Sequence, residues 1–531
     1  MEPPRDALKS QSLPLLRGSV TLESALEDDD NMLQRLAYPE QRIDFFLYLW
    51  THRSEIETLV SDHLGFSGMG MCRAGEVKDW IAGSFNVCIP VYVDEKARFA
   101  KKRVLIRFPL PYKIGESRYP GNADEKLRCE AAAFVWIQDN CPDVPIPFLW
   151  GFGFPNGQSF TAPESVPFYT RLMSNLQRTV LSWIGYPVPC RFIRHRYPHA
   201  LKVGYLLMDH LEETDGNMLS ESWEKFRHDR DRRTNLFRDL SHIIHSLARV
   251  PLPRIGSFTI DDQGILSLTN RPLTVRLHCL ENEGVPTNID RNLTYSTTDA
   301  YLHDLLGYHD SRIRHQPNSI HDEYDGQAQM GALTIMRALH PHFTDRDLRH
   351  GPFVFTLTDM HASNIFVDRD WNIKYLIDLE WACSLPIEML HPPFWLTSRG
   401  VDQLEKGEHL DAYTAVHGEF VGSFEKVEGL FPLTNGDASY RTQIMRKGWK
   451  IGNFWYFHSL DNPKGLYTIF LQHIQPMFEW SHGTGTDFDR IVAPYWSADA
   501  AEVRAAKLRD KELYDDQLRK AFEDNVEEDK N

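Results

Sequence analysis

Apolar residues recur along this chain in two rhythms, and the change from one to the other divides it into four parts. Residues 1–59 form an N-terminal extension that begins polar and proline-containing, without a regular pattern. The helical spacing of Ile43, Phe46, Leu47 and Trp50 within Gln41–Leu64 predicts one helix there. From 60 to 211 short strand-like runs dominate. Ile81-Ala-Gly83-Ser84-Phe85-Asn86 leading into Val87–Val93 predicts a turn and a strand, Arg103–Pro109 a second strand, and Tyr205–Glu212 a buried strand running into a connector. One helix interrupts them at Asp124–Asn140, with Leu127, Ala131, Phe134, Val135 and Gln138 at helical spacing behind the capping signal of Asp124. An insert at 155–202 is rich in aromatic residues, Arg and Pro, and has one helix-like stretch, Tyr169–Ile184.

Helical spacing takes over in 212–498. In Thr234–Val250, Leu236, Leu240, Ile243, Ile244 and Leu247 make the inward stripe, which leaves His242 and His245 as core-edge residues without a carboxylate or Cys to complete a metal site. Two short runs break the pattern. Asn364-Ile-Phe-Val and Ile373-Lys-Tyr-Leu-Ile-Asp378 predict the strands of a hairpin with Asp368–Asn372 at its turn. The aromatic run Phe454-Trp-Tyr-Phe457, with Trp449 and Trp480, reads as core that also suits the wall of a pocket. The last part, 499–531, is charged and helix-prone, with Tyr514, Leu518 and Phe522 four apart; it predicts a solvated helix with one face able to dock.

A chain of 531 residues with 42% apolar content can bury a large core. Its net charge of −16 argues against a nucleic-acid partner, which needs clustered Lys and Arg. The seven cysteines (Cys72, Cys88, Cys129, Cys141, Cys190, Cys279, Cys383) include no C-x-x-C pair and read as buried thiols in a reducing compartment. No apolar run approaches the roughly 20 residues of a membrane span. The start, with Glu2 and Asp6, lacks the pattern of a secretory signal. A cytoplasmic protein with no membrane partner is expected.

The chemistry is concentrated in Phe355-Thr-Leu-Thr-Asp359-Met-His-Ala-Ser-Asn364-Ile-Phe-Val-Asp368 and Leu376-Ile-Asp378-Leu379-Glu380. Phosphoryl transfer from a nucleotide needs one carboxylate to orient the acceptor hydroxyl and take its proton. It also needs an Asn and a second Asp to hold magnesium on the phosphates. The predicted hairpin carries Asn364 and Asp378 to one end, where both reach a single metal cluster.

This segment, through Ile377–Pro386 and His391-Pro-Pro-Phe-Trp-Leu-Thr397, resembles the fungal aminoglycoside phosphotransferases, the phosphotransferase enzyme family of the protein-kinase-like superfamily. The resemblance implies an α+β fold of two lobes, a small antiparallel-sheet N-lobe and a larger, mainly helical C-lobe. It implies transfer of the γ-phosphoryl of ATP, with Mg2+, to a hydroxyl on a small molecule. By that analogy Asp359 is catalytic, and Asn364 and Asp378 are the magnesium ligands. Gly83 and Ser84 fall where a glycine loop covers the phosphates, although an ordinary hairpin turn explains them as well. Arg107 falls at the phosphate-pairing position on its strand and Glu130 where its partner belongs, with Glu125 as the competitor. Met208, Asp209 and Leu211 fall in the connector whose backbone holds adenine.

Three departures bear on the reading. Arg107 replaces the usual Lys, which brings a planar donor fork with different reach. Leu357 and Thr358 stand where the family has His-Gly, a substitution bearing on the rigidity of the turn; His361 reads as a hydrogen-bonding residue there. Cys383-Ser-Leu-Pro-Ile-Glu stands where protein kinases have Ala-Pro-Glu, which disfavours a peptide substrate. Two other readings stay open: a kinase-like nucleotide-binding regulatory protein, and a choline- or ethanolamine-type amino-alcohol kinase.

Overall fold

Alternation of β-branched and aromatic residues builds the small lobe. A computed structural model describes residues 12–66, 70–95, 99, 101–196, 201–431, 439–478 and 486–528. The first strands, β1 (Ser12–Pro14) and β2 (Ser19–Thr21), form a separate hairpin. The lobe's sheet contains β3 (Cys72–Ala74), β4 (Ile81–Ala82), β5 (Asn86–Val93), β6 (Arg103–Pro109), β7 (Leu149–Gly153), β8 (Gln158–Thr161), β9 (Ile193–Arg196) and β10 (Tyr205–Asp209). The order is β3-β5-β6-β10-β7-β8-β9, all antiparallel, with β4 paired to β5.

Register decides what each face carries. Val87, Ile89 and Val91 lie opposite Phe108, Ile106 and Val104, and these six side chains are buried on one face. Leu49, Ile56, Leu59 and Val60, from the helices Met32–Thr51 and Arg53–His63, share their core. The period of two turns Leu105 and Arg107 to the opposite face, toward the helix Asn122–Asn140. There the consecutive small residues Ala131, Ala132 and Ala133, all buried, let helix and sheet approach closely.

The larger lobe is mainly helical. Small strand pairs punctuate it: β11 (Asn217–Met218) on β15 (Ile365–Val367), β12 (Ser257–Ile260) on β13 (Leu266–Asn270), β14 (Phe353–Leu357) on β17 (Ala382–Pro386), and β15 on β16 (Ile373–Leu376). The two-lobed α+β architecture is the one expected.

The N-terminal extension differs from expectation. The extension was expected to carry one helix; its described part carries the β1–β2 hairpin, a short helix Leu22–Glu27, and the helix Met32–Thr51 followed by Arg53–His63. The C-terminal helix Ala500–Glu528 docks one face, as the spacing of Tyr514, Leu518 and Phe522 allowed. Tyr514, Leu518 and Phe522 are buried with Leu13, Val20, Ala25 and Met32, and the Tyr514 hydroxyl accepts from the Met32 N–H at 2.8 Å. The insert adds β8 and β9 to the sheet edge and the helix Phe168–Trp183 beyond it. Among the described residues no helix is long and apolar enough to cross a membrane.

Candidate active site

The turn after β14 is pinned by three side chains. Thr358 Oγ1 donates to the Trp381 carbonyl at 2.7 Å, Asn364 Nδ2 to the Asp359 carbonyl at 2.8 Å, and Trp395 Nε1 to the Met360 carbonyl at 2.8 Å. Thr358 thus ties the turn from one of the two positions at which the sequence departs from His-Gly. His361 caps the short 3₁₀ turn Ala362–Asn364, its Nδ1 accepting from the Ser363 N–H at 3.2 Å; its Nε2 lies 3.8 Å from an Asp359 oxygen.

The hairpin closes as the apolar runs require. Ile365 pairs with Leu376, and one step beyond, the Ile377 N–H donates to the Asn364 carbonyl at 3.0 Å. Asn364 and Asp378 are therefore at the same end. Asp378 takes a left-handed backbone, φ 60°, which Asp tolerates better than most residues. Leu357 then pairs with Ala382. Only 379–381 separate Asp378 from β17, so the chain turns straight back.

Asp378 does not stand alone. Its carboxylate pairs with the Arg107 guanidinium, whose second nitrogen pairs with Glu380 and whose Nε lies 3.5 Å from Glu130. Lys126 completes the cluster, donating at 2.7 Å to both Glu380 and Asn86 Oδ1 while Asn86 Nδ2 donates to Glu380 at 2.7 Å. Arg107, Lys126, Glu130 and Glu380 are all nearly inaccessible. Glu125, the competitor, is committed elsewhere, held by Arg271 at 2.8 Å and Arg291 at 3.1 Å. Lys126, Glu380 and Asn86 were not singled out in the sequence. A signal existed for two of them: Lys126 precedes Glu130 by four on a helix, and Glu380 follows Asp378 by two.

The protonation pattern follows from burial and charge. Burial and the neighbouring Glu380 carboxylate raise Glu130, against the pull of Arg107. Burial would raise Glu380 too, but Lys126 and Arg107 hold it below the usual range. Burial opposes the charge on Arg107, and the three carboxylates keep it protonated. Asp359 is pushed up to about 7 by burial, then by Glu380 and Asp378, with Arg276 opposing.

Gly83 and Ser84 form the β4–β5 turn, closed by the Gly83 N–H on the Asn86 carbonyl at 2.8 Å. The next residue, Phe85, sets its ring edge-on to Trp381 at 5.5 Å, so this turn reaches the Asp378 segment. Met208 and Asp209 end β10, and Leu211 lies in the connector beyond it. The Asp209 N–H donates to the Phe148 carbonyl at 2.9 Å, and its carboxylate accepts from Trp150 Nε1 at 2.8 Å.

A cavity of about 170 Å³ opens beside the turn, lined by Thr358 and Met360 on either side of Asp359 and by Tyr301, Phe394, Phe457 and Asp461. The aromatic run thus contributes a wall as well as core; Trp480 lies outside the described residues. Burial raises Asp461 to about 6, with Arg276 opposing. Arg276, which the sequence did not single out, interacts electrostatically with Asp359 and Asp461, and its buried Nε has no hydrogen-bond partner among the described residues. His245 bonds the Phe424 carbonyl at 3.0 Å and stacks on that ring, while His242 Nδ1 lies 3.8 Å from Asp143, a carboxylate the sequence reading did not place there.

No protein-family model matches the chain, and no curated protein matches it. Among solved structures it is similar to the macrolide 2'-phosphotransferase MphH of Brachybacterium faecium as the apoenzyme. The identity is 12%, over 78% of this chain and 95% of that one, with a TM-score of 0.31. It is also similar to an ethanolamine kinase of Plasmodium vivax, at 12% identity over 76% of this chain and 82% of that one, with a TM-score of 0.30.

Proposed function

We propose that this protein transfers the γ-phosphoryl group of ATP, with Mg2+, to a hydroxyl on a small molecule. The observation that carries the reading is the linkage of three residues at one end of a hairpin. The Ile377 N–H binds the Asn364 carbonyl, which brings Asp378 beside Asn364, while the Asn364 side chain binds the Asp359 backbone. The acceptor side and the metal side are thereby held one turn apart.

The residues fit magnesium. No three of His, Cys, Asp or Glu among the described residues form a ready metal site, but Mg2+ needs only one or two protein carboxylates, the rest being water and phosphate oxygens. Asp378 and the amide oxygen of Asn364 are hard donors of that kind. The surrounding carboxylates (Glu130, Asp359, Asp378, Glu380) outnumber Arg107 and Lys126, and burial first, then the neighbouring carboxylates, raises Glu130 and Asp359. A divalent cation relieves that excess. When bound, it neutralises charge developing on the transferred phosphoryl group.

The chain's own residues do the rest. Asp359, beside the cavity, orients the acceptor hydroxyl and takes its proton at a carboxylate oxygen. Asn364 and Asp378 hold the metal. Arg107, tethered by Glu130 and Glu380, holds Asp378 in place and lies near the phosphates. The Gly83-Ser84 turn covers them, and the connector around Met208 and Leu211 receives the base. Apolar and aromatic walls favour an acceptor with an apolar body, and Thr358 and Asp461 are polar points for its orientation.

The amino-alcohol reading gains one specific observation: Asp461 is a buried acid in an aromatic-walled cavity, the setting an ammonium group needs. Arg276 already faces that acid, which favours a neutral hydroxyl. The test is ATP turnover with Mg2+ across neutral alcohols, sugars and amino alcohols. Absence of Mg2+-dependent ATP binding sinks the reading. Tight binding without turnover on any acceptor favours the regulatory alternative.

A further inference from the structure

The helix Phe168–Trp183 in the insert is turned inside out. None of its residues is buried. Phe168, Leu172, Met173, Leu176, Val180 and Trp183 are exposed, from 44% at Val180 to 83% at Trp183. At about 100° per residue they fall on one continuous side. The half-covered positions are Thr170, Arg171, Ser174, Arg178 and Leu181, on the opposite side, where Arg178 Nε donates to the Pro189 carbonyl at 3.0 Å. The helix is thus held to the protein by its more polar side and offers its apolar side outward. Contiguous exposed apolar faces of this extent mark an interaction surface.

Charge selects the occupant. The chain carries a net charge of −16, yet residues 165–208 contain six Lys and Arg and no Asp or Glu. The edge strand β9, which follows the helix, presents Arg194 and Arg196 to solvent. Acids do border this region: Glu164 just before the helix, Asp209 just after the stretch, Asp139, which faces Arg178 and Arg191, and Asp62, which faces His195 on β9. A two-fold contact between copies through this face would bring like charges together. An anionic lipid surface complements both features, taking the apolar side into the headgroup–acyl boundary, with aromatic rings and arginines at headgroup level.

We propose that the Phe168–Trp183 helix docks this protein on anionic membranes, lying in the interface without spanning it. This revises the expectation of no membrane partner, which rested on the want of a spanning segment. It stands independently of the phosphotransferase reading.

The test is co-sedimentation of the full chain with vesicles of phosphatidylcholine alone or with added phosphatidylserine, at low and raised salt. Binding to the serine-containing vesicles is expected to be about tenfold or more tighter and to weaken with salt. Leu172→Ser with Leu176→Ser is expected to remove most of it, and Arg194→Glu with Arg196→Glu to remove the preference for anionic lipid. The leucines are exposed, so an unchanged thermal melt confirms that the serine variant is folded. No binding to serine-containing vesicles, equal binding to both kinds, or binding that survives the serine variant overturns the proposal. So does light scattering that shows a lipid-free dimer dissociated by those serines, since the occupant is then a second copy.

Discussion

The Arg107 guanidinium is paired with the carboxylate of Asp378, the residue proposed to hold magnesium, and the same guanidinium binds Glu380 and faces Glu130. The cation and the proposed metal ligand are thus joined in one ion pair. On the proposed reading, loading magnesium-nucleotide would exchange part of this ion pair for the metal.

Nucleotide binding is therefore expected to depend on magnesium, and Asp378→Ala to remove most of that dependence while the fold survives, because Asp378 is partly exposed. Calorimetric titration of ATP with and without Mg2+ measures this. Equal affinities in the unmutated protein would rule the metal assignment out.

Arg107→Ala leaves three carboxylates without their shared cation in a buried site. A loss of about 3–5 kcal/mol of stability is expected, as for breaking a buried ion pair from one side, together with most of the nucleotide affinity. Arg107→Lys keeps the charge but replaces a three-nitrogen fork with one ammonium, so it should lose less stability and keep some activity. Denaturant unfolding gives the comparison. An Ala variant as stable as the parent, with ATP affinity intact, would show that the cluster neither holds the lobes nor serves the phosphates.

Asp359→Asn keeps size and packing but removes the proton acceptor. Turnover should fall about 10²–10⁴-fold with little change in ATP affinity. Unchanged turnover at saturating magnesium-ATP rejects Asp359 as the base.

The raised carboxyl of Asp359 sets a pH dependence. Its folded value of about 7 lies above the unfolded value near 3.9, so between these the folded state holds the extra proton. Stability without metal should fall as pH rises from about 5 to 8, and Glu283 and Glu388, also near 7, act in the same direction. Glu380, held low, loses its contribution only at much more acid pH. Melting temperatures in chelator are expected to decline across that range, less steeply in Asp359→Asn. A flat profile for the parent contradicts the burial-driven shift.

The parts of this molecule legible in its residues are those set by neighbours along the chain. Period-two runs bounded by Asp368–Asn372 made the β15–β16 hairpin readable, and with it the meeting of Asn364 and Asp378. The same rhythm put Arg107 on the face away from Ile106, and helical spacing located the Asn122–Asn140 helix within two residues of its start. Of the charge cluster only the Arg107–Glu130 pairing was expected; its link from Asn86 to Glu380 was not legible, because these stand 294 positions apart and meet only when the lobes close on one another. Desolvation depends on that closure, so the raised carboxyl of Asp359 and the roles of Lys126 and Arg276 belong to the tertiary structure. The insert helix makes the same division: its amphipathic spacing is in the sequence, but which side faces the protein is decided by packing, and here the apolar side was left outside.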